Sequence, residues 1–401
     1  MERRVISVFM LLLILLCLPG IGGCGEKGRN EDADNIIFNS EAGADNEDKK
    51  TISVELSYVC SMETEYAENF RADYYENEKK EKYVLLEIIP DGTEVLVVPE
   101  GGKVPSDLAE SVIVMQRPVK DLYLVASAAM DLFVALDSLD SVKYSGQKQE
   151  NWYIPEAAKA MEEGRILYAG KYSKPDYEMI VSNGCSLAIE NTMIFHSPDV
   201  IEQLNNFGIP VIVDRSSGEE HPLGRVEWIR FYGALLGREE EAEAIFKEES
   251  DLMKEIESDE KSGLTVAYFY ITSNNLVQVR KSTDYIPKMI EIAGGKYIFD
   301  DLDDGTAKST VNMQLEEFYN QAKDADIIIY NSSIDGGVES VDDLTGKFAL
   351  LKEFKAVKEG RVYCTTNDSY QQSLSVAYMT EDIHSILKGK EEGLHYIYKC
   401  R

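Results

Sequence analysis

Four histidines, two tryptophans and six cysteines in 401 residues leave little material for metal or redox chemistry. The histidines stand at positions 196, 221, 384 and 395, and no two have the helical spacing of paired metal ligands, which argues against a dedicated zinc or manganese site. Bases are scarce as well. Against 72 acids there are 41, a formal charge of -31 that repels phosphate and argues against a nucleic-acid partner. No GxSxG elbow, GxxxxGK loop or HExxH pair occurs, so no residue is assigned a catalytic role, no cofactor is expected, and the chain is read as a non-enzyme. No CxxC occurs either. Cys60, Cys185, Cys364 and Cys400 are read as isolated buried thiols, two disulfides being the alternative in an exported protein.

Long apolar runs are confined to the start. Arg3 and Arg4 precede Val5 to Leu18, too short a stretch to anchor in a bilayer but with the charged flank and small-residue exit of an export signal, residues 1–23. Ile21-Gly22-Gly23-Cys24 resembles a bacterial lipobox, which implies cleavage before Cys24 and acylation of its sulfur. Lipid there would hold the chain on the outer face of the bacterial cytoplasmic membrane without spanning it. An ordinary secretory signal with an incidental cysteine is the alternative. Gly20, Gly22 and Gly25 spell GxGxxG, but no strand precedes them and the fingerprint is spurious.

Residues 24–50 are polar and read as a flexible tether with a reach of roughly 28 Å. From 51 to 118 come strand-like runs at Ile52–Val59, Tyr83–Ile89, Glu94–Val98 and Val112–Met115, a small β-rich extension. From Leu122 apolar runs alternate with helical stretches, as in an α/β fold with a mainly parallel sheet. Leu122–Ala126, Ile166–Ala169, Leu187–Ile189 and Ile209–Val213 are predicted strands of a first lobe, 119–222. Val266–Tyr270, Leu276–Arg280, Ile327–Tyr330 and Arg361–Cys364 are predicted strands of a second, 262–401, with helices at Tyr285–Ala293 and Leu315–Ala322. Between them, 223–261 is helical, and no Pro or Gly interrupts Arg238–Ser258, enough for a rod of roughly 30 Å. The fold class is therefore α/β: two Rossmann-like lobes joined by a single long helix, with the β-rich extension in front. A packing helix within one large domain is the alternative for that segment.

Several stretches in this order, Tyr123–Leu132, Tyr168–Tyr172, Gly208–Val211, Pro222–Ile229 into Gly233–Gly237, and Met289–Gly295, resemble ABC-importer solute-binding lipoproteins of the iron-complex and cobalamin class. The resemblance covers about 120–387. It implies capture of an iron complex (siderophore or haem) or cobalamin between the lobes and delivery to a membrane permease with its ATPase, by a protein expected to be monomeric. It also implies that Glu178 and Glu317, one per lobe and each opening a helix, engage permease arginines; Glu316 competes with Glu317 for that role. Carboxylates at helix starts suit the dipole and pair well with guanidinium.

Ligands of open α/β sheets sit where loops leave the carboxyl ends of strands. That rule selects Ser127, Lys171, Tyr172, Asn191 and Thr192 in the first lobe, and Thr272, Arg280, Lys281, Asn331, Ser332 and Tyr370 in the second. Arg280-Lys281 precedes Ser282-Thr283-Asp284, where a helix start offers amides to an anion such as an acidic siderophore or a propionate-bearing macrocycle. Trp152 either reaches the cleft mouth or caps a helix. Two other readings stay open. A metal-ion-binding importer component would need three or four converging His, Asp or Glu ligands, and a lipid-tethered sensor or adhesion module would have no use for Glu178 and Glu317 in uptake.

Overall fold

The computed structural model describes residues 51–306, 308–334 and 337–401, so the leader, Cys24 and the tether lie outside the described residues. Three sheets organise the rest. The extension holds five strands, Ser57–Ser61, Phe70–Glu76, Lys82–Ile88, Thr93–Val98 and Ile113–Gln116, in sequential order. All pairs are antiparallel except the last. Residues 52–56 precede the first strand rather than forming part of it, and Phe70–Glu76 is a strand that the apolar pattern did not single out.

The first lobe is a parallel sheet ordered Val211–Val213, Leu187–Glu190, Leu122–Leu124, Val142–Ser145, Leu167–Tyr168. Leu122–Leu124 and Leu187–Glu190 are apolar up to Glu190 and wholly buried because both faces are covered, as parallel sheets require. The second lobe has a mixed sheet in which Thr265–Ile271, Ile327–Tyr330 and Val362–Thr365 run parallel. Antiparallel strands flank them, Val277–Arg280 and Thr310–Met313 on one side and Ile397–Lys399 on the other.

Two helices in a tight hairpin tie these bodies together. Pro222–Leu236 starts on a proline with His221 as its cap and ends at Gly237 in the left-handed region, φ 77°. Nearly all of it is buried, with Trp228, Phe231 and Tyr232 in its middle. Glu239–Ser258 follows as one uninterrupted 20-residue helix, its first turn carrying Glu239, Glu240 and Glu241 at the positive end of the dipole. Gly233 permits the crossing, because a Cβ there would lie 2.5 Å from the Cβ of Ala242. The buried stripe Ala242, Phe246, Glu249, Ser250, Met253 and Ile256 packs against Pro222–Leu236 and against the second lobe's last helix, Ser375–Leu387. The long helix therefore joins the two lobes.

The extension is fastened to the same hairpin. Buried Glu227 accepts hydrogen bonds from the backbone N–H of Glu65, Tyr66 and Ala67, all at 2.8 Å. Buried Glu219 accepts from the amides of Glu68 and Asn69 and from the Trp228 indole at 2.9–3.0 Å. Phe70 completes the joint, edge-on to Trp228 and Phe231 at 5.3 and 5.6 Å. Among the described residues no helix is long and apolar enough to cross a membrane.

Candidate functional site

Four neighbouring strands of the first lobe release their loops at one edge, and a pocket of about 320 Å3 opens there. Leu122–Leu124 supplies Val125 and Ser127; Val142–Ser145 supplies Gly146, Gln147 and Lys148, with Asn151 beyond; Leu167–Tyr168 leads to Tyr168, Lys171 and Tyr172; Leu187–Glu190 leads to Asn191. Gly146 lets two loops touch, since a Cβ there would meet the Val125 Cα at 2.9 Å. Asn191 stiffens the rim by donating to the Val125 carbonyl at 3.2 Å and accepting from the Met193 amide at 2.9 Å.

Of the residues selected by the strand-end rule, Ser127, Lys171, Tyr172 and Asn191 thus come together, and Thr192 follows Asn191 in the short turn Thr192–His196. The rule did not select Gln147, Lys148, Asn151 or Tyr168. Polar amides, a hydroxyl, two phenols and two lysines make the lining. Lys148 stands 3.6 Å from Glu150, and Lys171 is exposed with no ion pair among the described residues. On a chain of charge -31 these two cations form a local island that favours an anionic group.

The second lobe meets this wall through one segment. Buried Gln371 donates to the Asn151 carbonyl at 2.7 Å and accepts from the Tyr153 amide at 2.8 Å. Tyr370 lies edge-on to Tyr153, with ring centres 6.4 Å apart, and both rings are exposed. Next along the chain, Ser373 donates to the Ala128 carbonyl at 2.7 Å and the Leu374 amide to Asp131 at 2.9 Å. Tyr370 is accordingly the second-lobe residue, among those selected, that borders the pocket wall.

The other second-lobe selections have partners inside their own lobe. Thr272 closes the hairpin, its hydroxyl accepting from the Leu276 amide at 3.0 Å. Lys281 is 1% exposed, and its ammonium is held by Asp303, Asp304 and the carbonyl of Thr306. Those acids keep its pKa above the ordinary lysine value, with hydrogen bonding to Asp304 the largest cause. Arg280 pairs with Asp284 at 3.3 Å. Asp284 itself caps the helix Tyr285–Ile292 by accepting from the Ile286 amide at 3.0 Å, so the amides offered to an anion on sequence grounds are already engaged. Asn331 and Ser332 are buried, the first accepting from Ser333 and Thr365, the second hydrogen-bonded to the Thr365 backbone. Lys281, Asn331 and Ser332 are thus engaged by partners within the second lobe.

Trp152 belongs to the core, its indole donating to Ser145 at 3.2 Å. Glu178 and Glu317 are exposed in the first turns of Tyr177–Ser182 and Leu315–Ala322. The cysteines are not all isolated: the Cys400 thiol is hydrogen-bonded to that of Cys364, which holds its pKa below the ordinary thiol value. Among the described residues no group of three His, Cys, Asp or Glu is poised around a metal ion. One buried acid lies next to the pocket's rim in sequence. Glu190, at the end of its strand, is fully buried with both carboxylate oxygens unpartnered, and burial pushes its pKa up to about 8.

No protein-family model matches the chain. It is 28% identical over 365 residues to an uncharacterized lipoprotein of Methanocaldococcus jannaschii, covering 84% of each. Among solved structures, the petrobactin-binding protein of Bacillus subtilis superposes with a TM-score of 0.56 at 12% identity, over 76% of this chain and 99% of that one. The periplasmic haem-binding protein of Vibrio cholerae gives 0.55 at 13% identity, over 67% of this chain and 98% of that one. Likeness at such low identity is a likeness of fold: the two-lobed body with its joining helix is shared.

Proposed function

We propose that this chain is the extracytoplasmic solute-binding component of an ABC importer. It captures an iron complex or a corrinoid at the inter-lobe edge, performs no chemistry on it, and delivers it to a permease. The observation that carries the reading is the pocket at the carboxyl ends of four first-lobe strands, beside the second lobe's Tyr370–Gln371 segment, within a fold shared with haem- and petrobactin-binding proteins. Lys148 and Lys171 favour a ligand with carboxylate or catecholate charge, and Tyr168, Tyr172, Tyr153 and Tyr370 suit a flat or aromatic one. Acylated Cys24 would hold the protein at the membrane surface, in keeping with the lipoprotein name of its relative. Exposed Glu178 and Glu317 would then face the permease.

Thermal-shift screening against haem, cobalamin, ferric catecholates and ferric hydroxamates tests the reading. A rise in melting temperature with one of these, reduced when Lys148 and Lys171 are both changed to Ala, supports it. A shift with a bare divalent cation and with none of the complexes would replace it by the metal-ion reading. Changing Glu178 and Glu317 together to Ala should stop uptake and leave affinity unchanged; lost affinity would move both residues into the pocket.

A further inference from the structure

Three bodies meet where the first lobe's opening helix, the joining helix and the second lobe's last helix converge, and two acids are buried there. Asp131, in the first turn of Met130–Ala135, receives the Leu374 amide at 2.9 Å through one oxygen, while its other oxygen is buried and unpartnered. Glu249 projects from the buried stripe of Glu239–Ser258, and one of its oxygens is likewise buried without a partner. Among the described residues neither acid is ion-paired.

The surrounding charges do not neutralise them. Glu249 feels Glu248 on its own helix and Asp131 across the junction, both of which disfavour its ionised form. On Pro222–Leu236 the buried charges have partners of their own: Arg225 stacks over Tyr285 at 4.1 Å, and Glu227 is bound to the extension's amides and Arg230. On Ser375–Leu387, Asp382 accepts from the amides of His395, Tyr396 and Ile397, and His384 lies by the Ala293 carbonyl and Asp259. Glu156, Lys159 and Glu162 of the adjoining helix Pro155–Glu162 are all exposed. Two like charges in such a setting do not both ionise at neutral pH.

We propose that Asp131 and Glu249 form a proton-held latch at the lobe junction: while the pair is protonated the Leu374 contact persists and the lobes stay seated, and proton loss unseats them. Burial pushes Asp131 up to about 7 and Glu249 up to about 8, so the change is complete by mildly alkaline pH. The sign follows from linkage. An acid whose pKa is raised in the seated state holds its proton there after the exposed form has lost it, so seating weakens as pH rises from about 4 to about 8 and is constant above. For Asp131 alone the seated-to-open ratio falls about a hundredfold between pH 5 and pH 9. Asp131 and Glu249 are positioning residues in this account, and because the latch belongs to the ligand-free chain its test is independent of the transport reading.

Hydrogen exchange of the Leu374 amide in the full ligand-free chain reads the latch directly. In the wild type, exchange corrected for intrinsic chemistry should rise by at least about a hundredfold from pH 5 to pH 9, the share that Asp131 contributes alone. Asp131→Asn keeps an acceptor for the amide but removes the Asp131 titration, so its corrected exchange should rise about a hundredfold less than the wild type's; Glu249→Gln should remove the part of the rise that continues toward pH 8. A flat wild-type profile, or an unchanged rise in Asp131→Asn, overturns the proposal. Infrared spectroscopy of the wild type gives a second reading that requires no variant to fold. The carbonyl band of a protonated buried carboxyl should persist at pH 6, and its absence there would refute the latch.

Discussion

Changing Glu227 to Ala should detach the extension from the rest of the molecule. The carboxylate is fully buried and takes three backbone N–H groups and the Arg230 guanidinium, each at 2.8 Å. Hydrogen bonds to a charged acceptor contribute about 1.5–3 kcal/mol each in net terms, and an amide left buried without a partner costs about 1–3 kcal/mol. Alanine removes every acceptor at once and strands the Ala67 amide in a buried site, so a loss on the order of 5 kcal/mol is expected. Glutamine retains one oxygen and should lose roughly half as much. Trp228, fully buried and bonded to Glu219 beside the joint, is a built-in fluorescence reporter for urea titration. Exchange of the Glu65, Tyr66 and Ala67 amides locates the damage. An Ala variant that unfolds within about 1 kcal/mol of the wild type, or that leaves those amides protected, would refute the view that Glu227 is a main fastening of the joint beside Glu219 and Phe70.

Glu190→Gln should remove a pH slope from stability. The folded chain holds this proton up to about 8, whereas an exposed glutamate loses it near 4.5, so the native state weakens as pH rises between those values. The variant should gain up to about 5 kcal/mol relative to wild type at pH 9 and little at pH 4. Melts at the two pH values decide, and parallel curves would place the charge elsewhere. Gln371→Ala removes two neutral hydrogen bonds to the first lobe, worth about 2 kcal/mol together, and should speed exchange at Tyr153 while leaving each lobe's sheet amides protected. Equal loosening of the sheets would mean that Gln371 supports the second lobe rather than the junction.

Much of the architecture was legible because buried parallel strands need apolar side chains on both faces. Leu187–Ile189 and Ile327–Tyr330 read as continuous hydrophobic runs and are central strands. Phe70–Glu76 escaped notice because Arg71, Asp73 and Glu76 interrupt its apolar residues. Val142–Ser145 is only four residues with a lysine among them, and overlooking it had a cost at the site. The loop it feeds carries Gly146, Gln147 and Lys148, so one wall of the pocket went unnamed while Ser127, Lys171, Tyr172 and Asn191, beyond recognised strands, were found. The second-lobe selections stand apart from the pocket for a different reason. Lys281, Asn331 and Ser332 do stand at strand ends, but the Asp303–Thr306 loop and Thr365 claim them, and such distant partners leave no local trace in the sequence.

The location of the pocket bears on how a rigid connection can serve capture. All ten lining residues belong to the first lobe, so most of the contact surface exists before the second lobe moves. The joining helix packs on Pro222–Leu236 and on the second lobe, and the Gln371, Ser373 and Leu374 contacts bridge the lobes beside the site. Under the proposed capture role, closure over a ligand would be a small adjustment at these bridges rather than a swing through solvent. A ligand shifts a conformational equilibrium only by its differential affinity for the two states. With the binding wall preformed, little of that affinity is needed to reorganise the protein. Substitutions at Lys148, Lys171 or Asn191 should therefore change affinity in nearly full measure. Substitutions at Gln371 should instead change how far the lobes separate, and with it how readily a bound ligand leaves.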